Sequence, residues 1–416
     1  MTPLTILFLC LLLLATTVLL YLSYRQSTHV RAHRGAVPTD FAAVITLEQH
    51  RHAADYSNAK SRLERVDLVL SLLITLVWTL GGGITALQQW AAAVVGSWGT
   101  LAADVVLIVA FLLISTLVGI PLALYRTFVV EVRFGFNKTT PRIFLTDLLI
   151  STALTLVIGG PLIALFLWVV AQAGTSWWLW GWGLLLVFQL VGIWVFPTFI
   201  APLFNRFTPL DDAELQHRIE GLLARTGYRA AGLYVMDASR RSGHGNAYFT
   251  GLGNAKRIVF YDTLLTQLDH AQIEAVLAHE IGHDKRHHIP QMIAGFAVLS
   301  LIGFAVVGWL MTQPAVWAAI GVADAGMGSR LLALLLVLPA CTFFVDPLVA
   351  WRSRVAEFEA DAYAVAQTSA DAMAAALVSI YRENAGTLTP DPWYAAWHYS
   401  HPPASERVGH IRRSAS

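Results

Sequence analysis

Long apolar runs alternate with polar segments along this chain, and seven of the runs are long enough to cross a bilayer as helices. A crossing helix needs about 20 mostly apolar residues. The runs are 4–23, 67–87, 101–124, 144–171, 178–200, 290–311 and 330–350. The first has no Lys or Arg ahead of it and no A-x-A-like cleavage site before Arg25, so it reads as an anchor rather than a signal peptide. Residues 1–200 therefore hold five predicted spans and a polar loop at 24–66, which is expected to be partly helical and to cover the cytoplasmic face. Residues 290–350 hold two more spans.

Two larger polar blocks, 201–289 and 351–416, carry different patterns. DDAELQHRIEGLLARTG (211–227) places Leu215, Ile219, Leu222 and Leu223 on one helical face, with Gly227 suited to the carboxyl-terminal cap. GLYVMDAS (232–239), NAYFTGL (246–252) and KRIVFYDTL (256–264) read as short strands. Asp269 and Gln272 form a capping-box start for a helix over 270–288, with a kink or break expected at Pro290. The fold class expected is mainly α, a polytopic protein of seven transmembrane helices. Residues 201–289 form a polar domain that contains a small β-sheet, and 351–416 form a polar tail.

Composition agrees with a membrane protein. Hydrophobic residues make up 56% of the chain and charged residues 13%, against roughly 25% charged in a soluble domain. The net charge of +1 implies no bulk electrostatic partner, and the chain has no basic patch interleaved with aromatics that would suit nucleic acid. The bilayer is the partner composition implies. Arg25, Arg31, Arg34, Arg51, Lys60, Arg62 and Arg65 follow the first span, and Arg126, Arg133, Lys138 and Arg142 follow the third; none follows the second or fourth. The positive-inside rule then puts the amino terminus outside and the polar blocks in the cytoplasm. Asp104, Asp147, Gln189 and Asp346 lie in or at the ends of apolar spans, where acids usually face a wet interior. Trp177, Trp178, Trp180 and Trp182 read as an interfacial aromatic belt.

The two cysteines, Cys10 and Cys341, both lie in apolar runs. Any transition-metal site must be built from His, Asp and Glu. VLAHEIGHDKRHH (276–288) supplies one in the form H-E-x-x-H. His279 and His283 are four residues apart and share a helical face, so both imidazoles reach one Zn2+, and Glu280 sits where a general base would. A catalytic zinc has three protein ligands. In the H-E-x-x-H-x-x-G-x-x-H pattern the third would fall at 289, which is Ile289; His287 and His288 have the wrong spacing and read as neighbours of the site or surface residues. SRVAEFEAD (353–361) offers Glu357, with Asp361 on the same face to accept a hydrogen bond from a ligand imidazole. Glu359 points elsewhere and is the weaker choice.

HEIGHDKRHH, SRVAEFEAD, FGFNKTT (134–140), GNAYFTGLGNAKRIVFYDTLL (245–265) and YSHPPASER (399–407) together resemble the type I CAAX prenyl endopeptidases, integral-membrane zinc metalloproteases. The resemblance spans essentially the whole chain. Heat-shock-type membrane metalloproteases share the catalytic block but have fewer spans and lack FGFNKTT. What the resemblance implies is a zincin-like catalytic domain opening into a chamber inside the helix barrel. His279, His283 and Glu357 would ligate one zinc, and Glu280 would be the general base. Asn246, Ala247 and Tyr248 would form a strand that pairs with a peptide or protein substrate, prenylated on the family's precedent. His401 and Arg407 would stabilise the tetrahedral intermediate or bind the substrate end. FGFNKTT would dock against the catalytic block. The membrane would be the inner or plasma membrane of a bacterium, or the endoplasmic reticulum of a eukaryote. Two other readings are quality-control proteolysis of membrane proteins without a prenyl group, and a transporter or zinc sensor. Glu280 argues against the last, since a binding-only site needs no base.

Overall fold

The computed structural model describes residues 1–250, 256–322 and 326–414. It is mainly helical, with one small mixed sheet. Among the described residues, five helices are long and apolar enough to cross a membrane: Pro3–Ala32, Thr100–Arg133, Pro141–Gln172, Gly174–Phe204 and His288–Met311. Two bent pairs bring the number to seven if each is one span. Large apolar side chains such as Leu117 (65% exposed), Val157 (73%) and Leu348 (65%) face outward. An apolar surface of that extent does not persist in water and matches a hydrocarbon surround.

The two bent pairs contain the spans predicted at 67–87 and 330–350. The first, Leu47–Trp78, begins as a polar helix on a Thr46–Gln49 capping box and enters the apolar region without a stop. It ends before Gly81–Gly82–Gly83, where Gly82 takes φ 77°, and the next helix leaves at 56°. A positive φ costs glycine little, so a break falls there. The second runs Met327–Thr342, stops, and restarts as Asp346–Gln367 at 65°. Pro347 lies in the first turn of the new helix; proline disfavours helical backbone in the residue before it and removes an N–H donor. This bend swings Asp346–Gln367, with SRVAEFEAD on it, beneath the membrane bundle.

The sheet has order β1-β2-β4-β3, with β1 Phe207–Pro209, β2 Gly232–Met236, β3 Ala247–Thr250 and β4 Arg257–Tyr261. β2 and β4 are parallel; the outer pairs are antiparallel. β1 is absent from the pattern reading because three residues are too few to show alternation. The strand predicted at 232–239 ends at Met236, and the one at 256–264 ends where Asp262 opens a short helix. Residues 251 and 252 of the strand predicted at 246–252 lie outside the described residues.

Helix Ala213–Thr226 is capped by Asp212 and ends at Gly227 with φ 60°. Its Leu215, Ile219 and Leu222 join Ile258, Phe260, Ile273, Leu277 and Ile281 in one hydrophobic core. Phe41 and Ile45 of the 24–66 loop enter the same core, so the loop is stitched to the catalytic block. FGFNKTT docks on residues 241–244: Phe136 stacks on His244 at 4.2 Å, and Gly243 N donates to Phe136 O. Asp147 receives a bidentate bond from Arg241 at 2.8 Å. Of the tryptophans read as a belt, Trp180 is exposed, but Trp177 is buried and Trp182 donates to Ala297 O. These two pack helices together, because an indole N–H takes an acceptor when one is in reach.

The H-E-x-x-H helix, His270–Lys285, packs directly on Asp346–Gln367. At the crossing, a Cβ on Gly282 would stand 3.1 Å from both Ala360 Cα and Tyr363 Cβ. Gly282→Leu is therefore expected to destabilise the protein by about 1–3 kcal/mol, the usual range for overpacking. Gly282→Ala should be milder, because its helix propensity gain of about 1 kcal/mol offsets part of the crowding. Thermal unfolding in detergent checks this order; a Leu variant as stable as wild type would refute the close crossing.

Candidate metal centre

Asp269 and Gln272 close a capping box on the His270–Lys285 helix, which fixes where it starts. His279 and His283 then face the Asp346–Gln367 helix, and Glu357 faces back. His279 Nε2 lies 3.2 Å from His283 Nε2 and 3.4 Å from Glu357 Oε2, and His283 Nε2 lies 3.3 Å from Glu357 Oε1. His279, His283 and Glu357 form the metal-competent group among the described residues.

These spacings test whether zinc fits. Ligand bonds of about 2.0–2.1 Å in a tetrahedron put donor atoms about 3.3–3.4 Å apart, and each imidazole Nε2 lies near that distance from the other and from one oxygen of the Glu357 carboxylate, Oε2 for His279 and Oε1 for His283. Two imidazole nitrogens and a carboxylate are a donor set zinc takes. Glu357 Oε2 is buried and makes no well-formed hydrogen bond among the described residues; its near neighbours are the His279 ring and the Arg407 guanidinium. Burial works against charge on the His279 imidazole, but hydrogen bonds to Asp361 and Glu357 outweigh it and raise its pKa to about 9. The pocket favours positive charge.

Asp361 lies one helical turn beyond Glu357 and is fully buried. Its Oδ1 stands 2.9 Å from His279 Nδ1. Arg407 Nε donates to Asp361 Oδ2 at 2.8 Å, and Arg407 Nη1 lies 3.3 Å from Glu357 Oε2. Arg407 is buried, and its guanidinium is occupied by these two acids. His401 Nε2 is 3.3 Å from Glu357 Oε1 with its side chain 59% exposed. Glu280 is half-buried, and burial pushes its carboxyl pKa up while His279 and His283 pull it partly back.

β3 is an edge strand: β4 covers one side, and among the described residues no strand pairs the other. Ala247 packs toward the main core, whereas Tyr248 turns to the opposite face beside Met236 and Tyr261. What the strand offers on its open edge is main chain. Asn246 is exposed, with Oδ1 accepting from Ala247 N at 2.8 Å. A cavity of about 580 Å³ is bounded by Tyr381 and Tyr399 of the tail and by Lys60, Glu64, Arg126 and Glu131.

Sequence reasoning missed two contributors and left a third open. Gly282 sets the helix crossing. His288, read as a neighbour of the site or a surface residue, is the neighbour: it stands 3.0 Å from His283, Nδ1 to Nδ1, and Glu359, set aside as a ligand, accepts from it at 2.9 Å. Gly282 lay within the motif itself, but its role depends on a helix 78 positions away in number.

Comparison with known proteins agrees with this arrangement. The family model described as "CAAX prenyl protease N-terminal, five membrane helices" matches residues 26–206, and that described as "Peptidase family M48" matches 209–415. A CAAX prenyl protease 1 homolog of Arabidopsis thaliana is 32% identical over 93% of this chain and 92% of its own. CAAX prenyl protease 1 of Saccharomyces cerevisiae is also 32% identical, over 93% and 90%. The crystal structure of S. mikatae Ste24p superposes with a TM-score of 0.90 at 30% identity, covering 99% of both chains. A buried His-His-Glu cluster under a bundle of membrane helices, in a chain alike to these proteins from end to end, makes this an integral-membrane metallopeptidase that belongs to family M48, in its CAAX prenyl protease branch.

Proposed function

We propose that the protein is a zinc endopeptidase that cleaves a peptide bond near the carboxyl end of prenylated substrates. One observation supports this above the others: His279, His283 and Glu357 bring ligand atoms within 4.8 Å of one another beside the half-buried carboxylate of Glu280. Zinc, when bound, would acidify a water and polarise the scissile carbonyl. Glu280 takes a proton from the attacking water and returns it to the leaving amine as the C–N bond breaks. Its raised pKa suits a group that must hold that proton between the two transfers.

The substrate adds as an extended strand to the open edge of β3, through main-chain groups of Ala247 and Tyr248. The Asn246 side-chain oxygen is turned onto Ala247 N, which leaves its amide NH2 to hold a substrate carbonyl. His401, exposed and beside Glu357, is placed to meet the developing oxyanion. Arg407, shared between Asp361 and Glu357, holds the site from beneath. The catalytic domain is zincin-like in this reading, and the bent helix pairs each count as a span, giving seven. The distribution of Lys and Arg supports an outside amino terminus and a cytoplasmic site. The cavity at Tyr381 and Tyr399 is part of a chamber that admits the substrate.

Three outcomes are expected. Glu280→Gln should lose turnover by several orders of magnitude and keep one zinc per chain; measurable turnover by a zinc-loaded variant would falsify the base assignment. Asp361→Ala leaves the buried Arg407 with Glu357 as its remaining acid and His279 Nδ1 without its acceptor. It should cost about 3–5 kcal/mol and weaken zinc binding about 10–100-fold, read by unfolding and chelator competition. Purified wild type should cleave a peptide farnesylated at a CAAX cysteine in preference to the unmodified peptide. Equal cleavage of both would replace the prenyl-protease reading with general proteolysis of membrane proteins.

A further inference from the structure

Each ring nitrogen of the two histidine ligands has a distinct neighbour, and the second histidine's neighbour is unusual. His279 presents Nε2 to the donor cluster and Nδ1 to Asp361. His283 presents Nε2 to the cluster, but its Nδ1 meets no carboxylate among the described residues; it meets Nδ1 of His288 at 3.0 Å. His288 Nε2 in turn lies 2.9 Å from Glu359 Oε2. His288 is buried, whereas the Glu359 side chain is 45% exposed.

We propose that His288 and Glu359 are positioning residues that fix the tautomer and orientation of His283 through a His–His–Glu chain. The proton count leaves one arrangement. A neutral imidazole has one N–H and one lone pair. With the lone pair of His283 Nε2 committed to the metal, its proton sits on Nδ1. That N–H donates to His288 Nδ1, which must be the acceptor, so the His288 proton sits on Nε2 and donates to Glu359. Every nitrogen in the chain then has one role, and the ring of His283 is held at its far side. Ligand histidines generally need such an outer partner, which also raises their basicity.

The backbone explains why His288 can reach. The His270–Lys285 helix stops at Arg286, and His287 takes φ 57° before the helix His288–Met311 begins. That break lies three residues ahead of the expected one at Pro290, which instead sits in the first turn, where its missing N–H costs nothing. A left-handed backbone at a non-glycine residue is uncommon and often marks a functional constraint. Here it turns the chain so that the first residue of the new helix faces back onto His283. Glu359 is two residues from Glu357 on its helix, so it points to a different side and meets His288 instead of the metal. The two ligands are thus anchored differently, His279 on a carboxylate deep in the protein and His283 on one at its surface.

This inference rests on the metallopeptidase reading, and the test separates the two. Full-length protein in detergent is loaded with zinc for affinity by chelator competition and with Co(II) for its d–d spectrum. Wild type should bind one zinc, and His279→Ala should lose it; failure of that pair would remove the metal reading and this inference with it. His288→Phe, which fills the space and offers no acceptor, should weaken zinc about 10–100-fold and shift the Co(II) bands. His288→Gln, whose side-chain oxygen accepts from His283, should recover most of the affinity. Glu359→Ala should weaken zinc several-fold and Glu359→Gln less. If His288→Phe and Glu359→Ala both hold zinc within twofold of wild type with unshifted Co(II) bands, the chain does not position His283 and the inference is overturned while the metal reading stands.

Discussion

Asp361 is fully buried, and a carboxylate stays ionised out of water only where charge partners and hydrogen bonds replace its hydration. Arg407 and His279 are those partners. Arg407 comes from the last helix, Ala404–Ser414, His279 from the H-E-x-x-H helix, and Asp361 from the continuation of the last membrane element. One buried acid therefore ties together three segments that the chain keeps far apart, and the metal-competent cluster forms where they meet. Arg407 also approaches Glu357, so the same cation steadies the carboxylate donor. Removing any member takes one partner from buried polar groups that have few others, which is why the cluster behaves as a unit rather than as a list of contacts.

Delivery of Asp361 and Glu357 to that point depends on the bend between Met327–Thr342 and Asp346–Gln367. A straight helix would carry both acids along the membrane axis and away from His279. The membrane bundle and the catalytic block consequently share an element instead of being joined by a linker. Other contacts make the same junction. Arg25 of the first membrane helix binds Asp391 of the tail through Nε at 3.3 Å and Nη2 at 2.9 Å, and Gln26 accepts from the Asp391 amide. Tyr394 donates to Glu64, and Tyr56 donates to Glu131 beside His244. The segment bearing His401 is held from one side by the first membrane helix, and the start of β3 is held from another by FGFNKTT.

Local chemistry was legible in the sequence because its causes are local. The i, i+4 spacing of His279 and His283, the Asp269–Gln272 capping box, the Asp212 start and Gly227 stop, and the length of the apolar runs all lie within a few turns of one helix. The amphipathic face of 213–226 and the strands around 232–236 and 257–261 followed from periodicity for the same reason. Even Glu357 and Asp361 were readable as a pair, since their four-residue spacing is again a property of one helix.

What only the tertiary structure decided is which of these local features meet. Nothing near Arg407 in the chain shows that its guanidinium closes on an acid 46 residues earlier. Glu359 looked like a spare carboxylate until His288 was seen against it, 71 residues away in sequence. The bends at 79–82 and 343–345 read as continuous spans because hydropathy measures the apolarity of a run and is blind to its direction. β1 was too short to register, and Gly282 mattered through a helix that passes over it. Sequence by itself determined the membrane character, the individual helices and the ligand types, because propensity, capping and periodicity act between near neighbours. The tertiary structure decided the assembly of the site, because burial and charge pairing depend on which distant segments exclude water from one another.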